Sequence, residues 1–403
     1  MEKVKKAPNL TVLLIVNFLF LAFAYAGLST WTIAVPSLEK TFNLSPTMIQ
    51  MGSSMLMLGY GVGSFVESIM AARIGLRKTG LIAALMLLVP QFIIPYIPSY
   101  GAILFLRFIQ GWGIVWFITV AMVTGWFPLR TRGLASGVVG GAIPFGVGIG
   151  GIIAGSLLAR TGSWQTSFLY FAGMVIIFVA LWLIIVSDPP TEVKEKVKVA
   201  AAVSPYKYAA GWIVAWALFC NFVALIGLYT VLGPYLYHLG YGPVQVGTGL
   251  LACGLIGAVT TPLSGVIGDS LVRNGRPAVK TRAYIMGFAF IFAAITTFLV
   301  PAIAPAGYGA MLGIVIAAGV GVPMTNASIG ALPTDMLKDP AIADKLLGLI
   351  VLIGAAVGGT TAPTLAMAVA SSRGWTMAFA VLAIFALIGA VLSFLAPRFE
   401  VKT

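Results

Sequence analysis

The residues of this chain that could do chemistry are few, and most of them lie inside apolar sequence. Arg107 and Gln110 occur in the stretch Arg107-Phe-Ile-Gln110-Gly111-Trp-Gly113, whose neighbours carry no charge. A charged side chain in surroundings that exclude water is costly, so it needs a functional role or a definite structural partner. Because a guanidinium is always charged and donates several hydrogen bonds, the chemistry it offers is the attraction and orientation of an anion.

Two interpretations of Arg107 stay open at this level. In one, the side chain attracts an anionic substrate or biases a protonation nearby. In the other, it binds main-chain carbonyls and the Gln110 amide, and so ties its helix to the first helix of the chain. Counted from the same end of their predicted helices at a rise of 1.5 Å per residue, Glu67 and Arg107 lie about 20 Å apart along the membrane normal. Glu67 is therefore too far away to pair with Arg107. The lack of an acid deep in the apolar sequence argues against a cationic substrate.

A second group of polar side chains recurs at one spacing in both halves of the chain. Tyr25 follows Asn17 by eight residues, and Tyr229 follows Asn221 by eight. Asn and Tyr can orient a substrate through hydrogen bonds without placing a fixed charge beside it. Each could instead join two helices, a contact worth only about 0.6 kcal/mol on average. For the set we favour a substrate cavity, with Asn326 as a further member.

The sequence gives no support for an enzyme. His238 is the only histidine, and no metal-ligand cluster or nucleophile–base pair can be assembled. Gly146-x-Gly148-x-x-Gly151 has the spacing of a dinucleotide fingerprint, but it lies inside a long apolar run without the preceding strand that such a site needs. These glycines instead predict that a second helix approaches at backbone distance. We therefore predict no catalytic residue, no metal site and no cofactor.

The composition of the chain indicates which secondary-structure elements position these residues. Of 403 residues, 60% are hydrophobic and 9% charged, whereas soluble domains carry about 25% charged residues. Stretches of about 20 apolar residues, each able to cross a bilayer core of about 30 Å, recur along the chain. The first is too long for a signal-peptide core and lacks a cleavage site. We predict an all-α membrane protein with twelve transmembrane helices, at residues 10–35, 47–71, 79–97, 101–125, 134–158, 165–186, 211–236, 244–267, 283–302, 308–331, 346–370 and 375–396.

The net charge of +13 reflects membrane topology rather than nucleic-acid binding. With both termini inside, twenty of the 24 Lys and Arg residues fall in inside segments, three fall outside, and Arg107 alone lies within a span. That asymmetry follows the positive-inside rule. It predicts an integral protein of the cytoplasmic membrane with both termini in the cytoplasm. Its expected partners are membrane lipid and a small molecule, and no nucleic acid.

The chain also repeats itself. Trp164-x-x-x-Phe168 returns as Trp375-x-x-x-Phe379, in the same order as the Asn and Tyr pairs. Between the two copies, mixed charges and Ser204-Pro205 indicate a cytoplasmic linker. The predicted domains are an N-terminal six-helix bundle, the linker and a C-terminal six-helix bundle, at 1–187, 188–208 and 209–403.

With these motifs in view, the chain resembles the major facilitator superfamily over nearly its whole length. The stretch that starts at Arg107 is similar to that family's fourth-helix motif, and Gly265-x-x-x-Asp269 resembles its signature for the loop after the second helix of a half. Trp126-Phe127-Pro128 and the run from Arg132 to Gly137 look most like members that carry small organic or inorganic anions. The resemblance implies two pseudo-symmetric bundles and a secondary transporter that works by alternating access.

The resemblance also implies where gating residues should lie. In the family, an acid in the loop after the second helix ties the two halves together on the inside, and here that position holds Ala72. Arg73, Gly75 and Arg77 follow at nearly the expected spacing, so Asp269 alone is left for the role of the acid. The predicted gating residues are Arg73, Arg77, Arg132, Asp269 and Arg276.

Together these features predict a monomeric transporter of a small organic anion such as a monocarboxylate. It would move its substrate with protons or in exchange for a counter-anion, using Arg107, Asn17, Tyr25, Asn221, Tyr229 and Asn326. An exporter of hydrophobic compounds is the alternative, suggested by the apolar spans and the glycines after residue 137. A membrane sensor that binds a solute without moving it is a third possibility.

Overall fold

A computed structural model describes residues 8–189, 208–337 and 350–400, without the side chains of residue 124 and residues 129–133. The part of the chain so described is helical and contains no strand. Twelve stretches in it are long and apolar enough to cross a membrane. The prediction of an all-α membrane protein with twelve transmembrane helices is confirmed, although residues 346–349 of the eleventh predicted span lie outside the described residues.

Two sets of helices lie on either side of the predicted linker, most of which (190–207) is outside the described residues. The first set consists of α1 (Leu10–Phe42), α2 (Pro46–Ile74), α3 (Leu76–Ile93), α4 (Tyr100–Trp112), α5 (Trp116–Trp126), α6 (Leu129–Thr161) and α7 (Gln165–Ile185). The second set consists of α8 (Ala209–His238), α9 (Pro243–Arg273), α10 (Ala278–Ile303), α11 (Tyr308–Leu337), a π-helical segment (Leu352–Gly359), α12 (Thr360–Arg373) and α13 (Trp375–Leu395).

Successive spans run in opposite directions, so the two ends of the bundle differ. We call the end where α1 begins the linker end, and the opposite end the far end. Asn9 caps α1 by accepting hydrogen bonds from the backbone of Thr11 and Val12. At the far end, Asn43 adopts a left-handed conformation that stops α1, and Ser45 caps α2. By the positive-inside argument, the linker end is the predicted cytoplasmic end.

The fourth span is broken, where the sequence predicts one continuous helix. α4 stops at Trp112, and α5 starts at Trp116. Gly113 lies so close to α3 that a Cβ there would be 2.6 Å from the carbonyl oxygen of Ala83 and would overlap the backbone of Leu87. The irregular backbone at residues 113–115 is fully buried, as membrane proteins require of non-helical segments. The break therefore follows from close packing of α4 against α3.

The glycines of α6 serve two partner helices rather than one. Gly141, Gly148 and Gly155 face α9, and a Cβ on Gly141 would lie 2.8 Å from the carbonyl oxygen of Ala258. A Cβ on Gly146 would overlap the carbonyl oxygen of Ala22 in α1. The expected close helix approach is confirmed, and it occurs both within the first set and between the two sets.

The start of α3 takes its cap from a residue distant in sequence. Gly75 precedes α3 with φ +88° and has no side chain to offer. Asp188, just after α7, accepts a hydrogen bond from the Arg77 amide at 2.8 Å, and the indole of Trp182 donates to the Arg77 carbonyl at 3.1 Å. Asp188 thus satisfies an N-terminal N–H of α3 and fixes it to the end of α7.

Substitution Asp188→Ala should lower the free energy of unfolding by about 1 kcal/mol, the usual loss for a helix cap. The change should appear as a lower thermal midpoint of the detergent-solubilised protein. Asp188→Asn is the matched control, because it keeps an oxygen acceptor and should lose less. Equal thermal midpoints for the Ala variant and the wild type would show that the cap does not stabilise this helix.

Candidate substrate site between the two helix sets

The two helix sets are in contact at the far end. The Tyr237 hydroxyl donates to the carbonyl of Ile33 at 3.1 Å, and the Gln50 amide donates to the carbonyl of Thr230 at 2.9 Å. The hydroxyls of Ser54 in α2 and Thr364 in α12 lie 2.7 Å apart. Each of these bonds joins one set to the other, so the path between the sets is closed towards the far end in this conformation.

A cleft of about 390 Å³ lies outside this closure, at the far end itself. Both sets line it, with Glu39 of α1 from the first set and His238 of α8 from the second. The His238 ring packs on Trp375 with 5.6 Å between ring centroids.

Helix α2 belongs to the first set and lies where that set meets the second. Its Gly59 and Gly63 pack on α4, where an added Cβ would overlap the carbonyl of Phe108 or lie 2.6 Å from the Cα of Trp112. Gly61 packs on the π-helical segment of the second set, where a Cβ would lie 2.5 Å from the backbone nitrogen of Ala356. Polar residues lie on the arc between these two contact faces, so that arc faces the region where the sets meet.

We call this arc of α2 the polar stripe, and it consists of Ser53, Tyr60, Ser64 and Glu67. With 100° of turn per residue, the four positions fall within about 60° of one another. All four are buried, with exposed fractions of 5% or less. The hydroxyls of Ser53 and Ser64 and both carboxyl oxygens of Glu67 have no hydrogen-bond partner.

Tyr60 links the two sets through aromatic contacts. Its ring lies 6.0 Å from that of Tyr25 in α1 and 6.1 Å from that of Phe222 in α8. The sequence predicts only a packing role for Tyr60, because nothing in its neighbourhood shows which helices it touches. The spacing of the polar stripe, at intervals of seven, four and three residues, is the signal that could have marked it.

Two of the predicted site residues contact each other in the second set. The Asn221 amide donates to the side-chain oxygen of Asn326 at 3.2 Å and to the hydroxyl of Thr325 at 2.5 Å. The Asn221 oxygen and the Asn326 amide nitrogen are buried without partners. Asn221 therefore joins α8 to α11 and still offers an unused acceptor.

The other predicted pocket residues are buried but more scattered. Asn17 donates to Leu13 of its own helix, and its side-chain oxygen has no partner. The hydroxyls of Tyr25 and Tyr229 also have none, although both rings are fully buried. Among the described residues, no hydrogen bond or ring contact joins Asn17 or Tyr229 to another predicted pocket residue. What the set shares is that each member of it on α1, α8 and α11 has a buried polar atom without a partner among the described residues.

Arg107 lies inside the first set, between α1, α2 and α4. Its guanidinium donates to the carbonyl of Gly52 at 3.1 Å, to that of Gly27 at 3.2 Å and to the Gln110 side chain at 2.7 Å. It also lies 4.7 Å from the ring centre of Trp31. Its Nη2 has no partner, and the side chain is fully buried. The geometry matches the structural interpretation, and substrate attraction by Arg107 stays a prediction.

A polar chain continues from Arg107 to α3. The Gln110 amide donates to the side-chain oxygen of Gln91, whose own amide nitrogen is buried without a partner. Gln91 is not among the predicted site residues, because a single amide in an apolar helix gives no signal in sequence. Through it, Arg107 contacts helices from three other spans.

Two of the predicted gating residues, Asp269 and Arg77, make described side-chain contacts, each within its own set. Asp269 of α9 pairs with Arg282 of α10 at 2.9 Å, and Arg282 also pairs with Asp335 of α11 at 2.5 Å. Arg77 uses its guanidinium on the carbonyl of Leu183. Arg73 and Arg276 are exposed, and the side chain of Arg132 lies outside the described part of the chain. A gating role for these five residues therefore stays a prediction.

Comparison with known proteins gives a family match over most of the chain. A family profile described as Major Facilitator Superfamily matches residues 17–350. A hexuronate transporter of Bacillus subtilis is 28% identical over 196 residues, 47% of this chain and 46% of the relative. A phosphoglycerate transporter protein of Salmonella typhimurium is 27% identical over 220 residues, 51% of this chain and 47% of the relative.

A multidrug transporter of Candida glabrata is 31% identical over 137 residues, which is 34% of this chain and 23% of the relative. The matches to all three relatives span about half of the relative's length or less. Their names therefore describe what those proteins carry, and the family match describes what kind of protein this chain is.

Proposed function

The chain belongs to the Major Facilitator Superfamily, and on that basis we propose that it moves a small organic anion across the membrane by alternating access. As a member of this family it is an integral membrane transporter and not an enzyme. The anion would travel with protons or in exchange for a second anion, through a site between the two helix sets. A monocarboxylate or a hexuronate is the size of substrate we expect.

The observation that supports this proposal is that buried polar atoms without described partners recur on α1 of the first set and on α8 and α11 of the second. More than nine in ten buried polar groups in proteins have a hydrogen-bond partner, so several such atoms on helices of both sets call for a ligand or water that supplies the partners. Asn221, Tyr25 and Tyr229 lie on α1 and α8, which hold corresponding places in the two sets. Sites near the midplane between such repeats are where secondary transporters bind their substrates.

The anionic character rests on two further points. Arg107 carries a positive charge deep in the first set, and no acid with a described side chain pairs with it. Two of the related transporters are named for anions, a hexuronate and a phosphoglycerate. A charge in a region of low dielectric acts over many ångströms, so Arg107 would favour an anion without touching it.

Uptake into proteoliposomes tests the substrate class. D-glucuronate, lactate and 3-phosphoglycerate should be offered as radiolabelled probes, with and without an imposed pH gradient, beside the lipophilic cation tetraphenylphosphonium. We expect accumulation of at least one anion and none of the cation. Movement of the cation alone would favour the exporter of hydrophobic compounds, for which the multidrug relative is the supporting observation.

Removal of the two unpartnered tyrosine hydroxyls separates substrate binding from folding. Tyr25→Phe and Tyr229→Phe delete hydroxyls that make no hydrogen bond within the described part of the chain, so the thermal midpoint should stay the same or rise. If the hydroxyls bind substrate, the KM for the transported anion should rise about tenfold, the value of one lost hydrogen bond of about 1.4 kcal/mol.

Tyr100→Phe is the matched control for that pair. The Tyr100 hydroxyl donates to the carbonyl of Met48 at 2.6 Å, and it lies 3.0 Å from the carbonyl of Ile49. Its loss should lower the thermal midpoint and leave KM unchanged. The pocket assignment fails if Tyr25→Phe and Tyr229→Phe transport with wild-type KM.

A further inference from the structure

Glu67 is a carboxyl that neither the fold nor the substrate pocket explains. It lies in α2, seven residues before the helix ends at the linker end. Only 1% of it is exposed, and neither carboxyl oxygen has a hydrogen-bond partner among the described residues. No cation with a described side chain lies within 4 Å of it. An unpaired carboxylate in such a site costs many kcal/mol, so the site holds the neutral acid.

The position of Glu67 puts it at the region where the two sets meet. It is the last member of the polar stripe, two turns beyond Tyr60, whose ring touches α1 of the first set and α8 of the second. Seven residues of helix place it about 10 Å from Tyr60 towards the linker end. A group here is sealed while the sets are closed, and it is reached from the linker end when they separate.

Among the described side chains of α2 and of the helices packed against it, Glu67 is the one acid in the linker half. The other ionisable groups on these helices are Tyr60, Arg73, Tyr25, Glu39, Lys40, Arg77, Lys78, Tyr100, Arg107, Arg373, Cys220, Tyr229, Tyr235, Tyr237 and His238. Arg73 and Lys78 are exposed at the linker end, and the Arg77 guanidinium is bound to the carbonyl of Leu183. Glu39 and Arg107 belong to the far half of the bundle, about 20 Å away.

We infer that Glu67 is the proton-binding site of this transporter, neutral in the closed conformation and ionised when the linker end opens. The inference rests on the transport function proposed above and selects proton coupling over exchange. The step is a simple proton transfer: the carboxyl takes one proton from water at one side and returns it to water at the other. Because an anion and a carboxylate repel each other, an anion binds the protonated form better, and binding of either therefore favours binding of the other.

Infrared titration of the substrate-free protein tests the site itself. In D₂O, the wild type should show the C=O band of a neutral carboxylic acid, which is lost as pD rises. Glu67→Gln should remove that band, and Glu67→Asp should keep one at a shifted position. Glu39→Gln is the matched control, since Glu39 is the other acid of the first set's helices, and it should leave the band in place. A band that survives in Glu67→Gln would overturn the inference.

Uptake of D-glucuronate tests the coupling. In Glu67→Gln, accumulation driven by a pH gradient should fall about tenfold or more, because the amide imitates the neutral acid permanently. Exchange of labelled for unlabelled D-glucuronate needs no proton movement and should persist. Gradient-driven accumulation at the wild-type level in this variant would overturn the inference. If the wild type ignores D-glucuronate, the hexuronate proposal fails, and the infrared result alone decides the role of Glu67.

Discussion

Arg107→Gln is expected to weaken anion uptake strongly and to lower the thermal midpoint, whereas Arg107→Lys should lower the midpoint but keep most of the uptake. The guanidinium holds α1, α2 and α4 together through Gly27, Gly52 and Gln110. Hydrogen bonds from a charged donor are worth about 1.5–3 kcal/mol each, so the loss of all three outweighs most single substitutions. Lysine keeps the charge but has no planar fork to reach three acceptors on three helices.

The two variants separate the structural role of Arg107 from its charge. At an effective dielectric constant of 20, a unit charge about 10 Å from a bound anion contributes about 1.7 kcal/mol, or nearly twentyfold in affinity. We therefore expect KM to rise about that much in the glutamine variant and to stay near the wild-type value in the lysine variant. Arg160→Gln, which removes an exposed arginine at the far end, is the control.

The measurements are thermal midpoints and initial uptake rates on the same preparations. If both variants lose stability equally and the surviving protein keeps the wild-type KM, Arg107 acts only by holding the helices together. The substrate class would then rest on the related transporters alone. Equal KM values for the two variants, both above the wild type, would assign the effect to geometry rather than to charge.

The helices could be predicted from the sequence because membrane burial sets their length. Each of the twelve predicted spans corresponds to a membrane-spanning stretch of the described residues, apart from residues 346–349 of the eleventh, and α1 and α2 extend beyond the predicted ends because charged residues such as Lys40 are tolerated at the membrane surface. The break at residues 113–115 was not predicted. It depends on how closely Gly113 approaches α3, which is a property of two helices and not of one.

The partners of the buried charges show the same difference between contacts within one helix, which can be predicted, and contacts between helices, which cannot. Two kinds of acceptor for Arg107, main-chain carbonyls and Gln110, were predicted, because Gln110 lies one turn away on the same helix face. The contact with Trp31 was not, since the two residues are 76 positions apart in sequence. Asp269 was expected to face the other half, but its partner Arg282 lies on the next helix of its own set.

Glu67 shows how position alone can mislead. In sequence it lies near the end of an apolar helix, where an acid commonly reaches water, and it is too far from Arg107 to pair with it and five residues too early to replace the loop acid missing at Ala72. The structure buries it completely, because its direction on α2 matches that of Tyr60 rather than that of the exposed Phe65. Helical phase relative to a residue of known surroundings, rather than distance from the helix end, decides whether such a group is solvated.

Gly254→Ala is expected to stop transport by overfilling a backbone contact between two helices. Gly254 of α9 faces α6, where a Cβ would lie 2.8 Å from the Cα of Gly148 and would overlap the carbonyl oxygen of Pro144. Both obstacles are backbone, so no side chain can rotate away and the two helices must separate. Overpacking of this kind costs about 1–3 kcal/mol. Because α6 and α9 join the two sets, the added methyl also obstructs their movement past each other.

Gly173→Ala is the matched control, since a Cβ at Gly173 of α7 meets nothing within 4 Å. That variant should transport normally and gain up to about 1 kcal/mol of helix stability. A tenfold or greater loss of uptake in Gly254→Ala, with folded protein in the membrane, would place the moving contact at α6 and α9. Normal uptake in that variant would mean that these two helices separate freely during the cycle, so the close approach seen between them would belong to only one of its conformations. Comparison of Gly254→Ala with Gly173→Ala thus decides whether the close contact made by the α6 glycines only stabilises one conformation or also controls the movement between conformations.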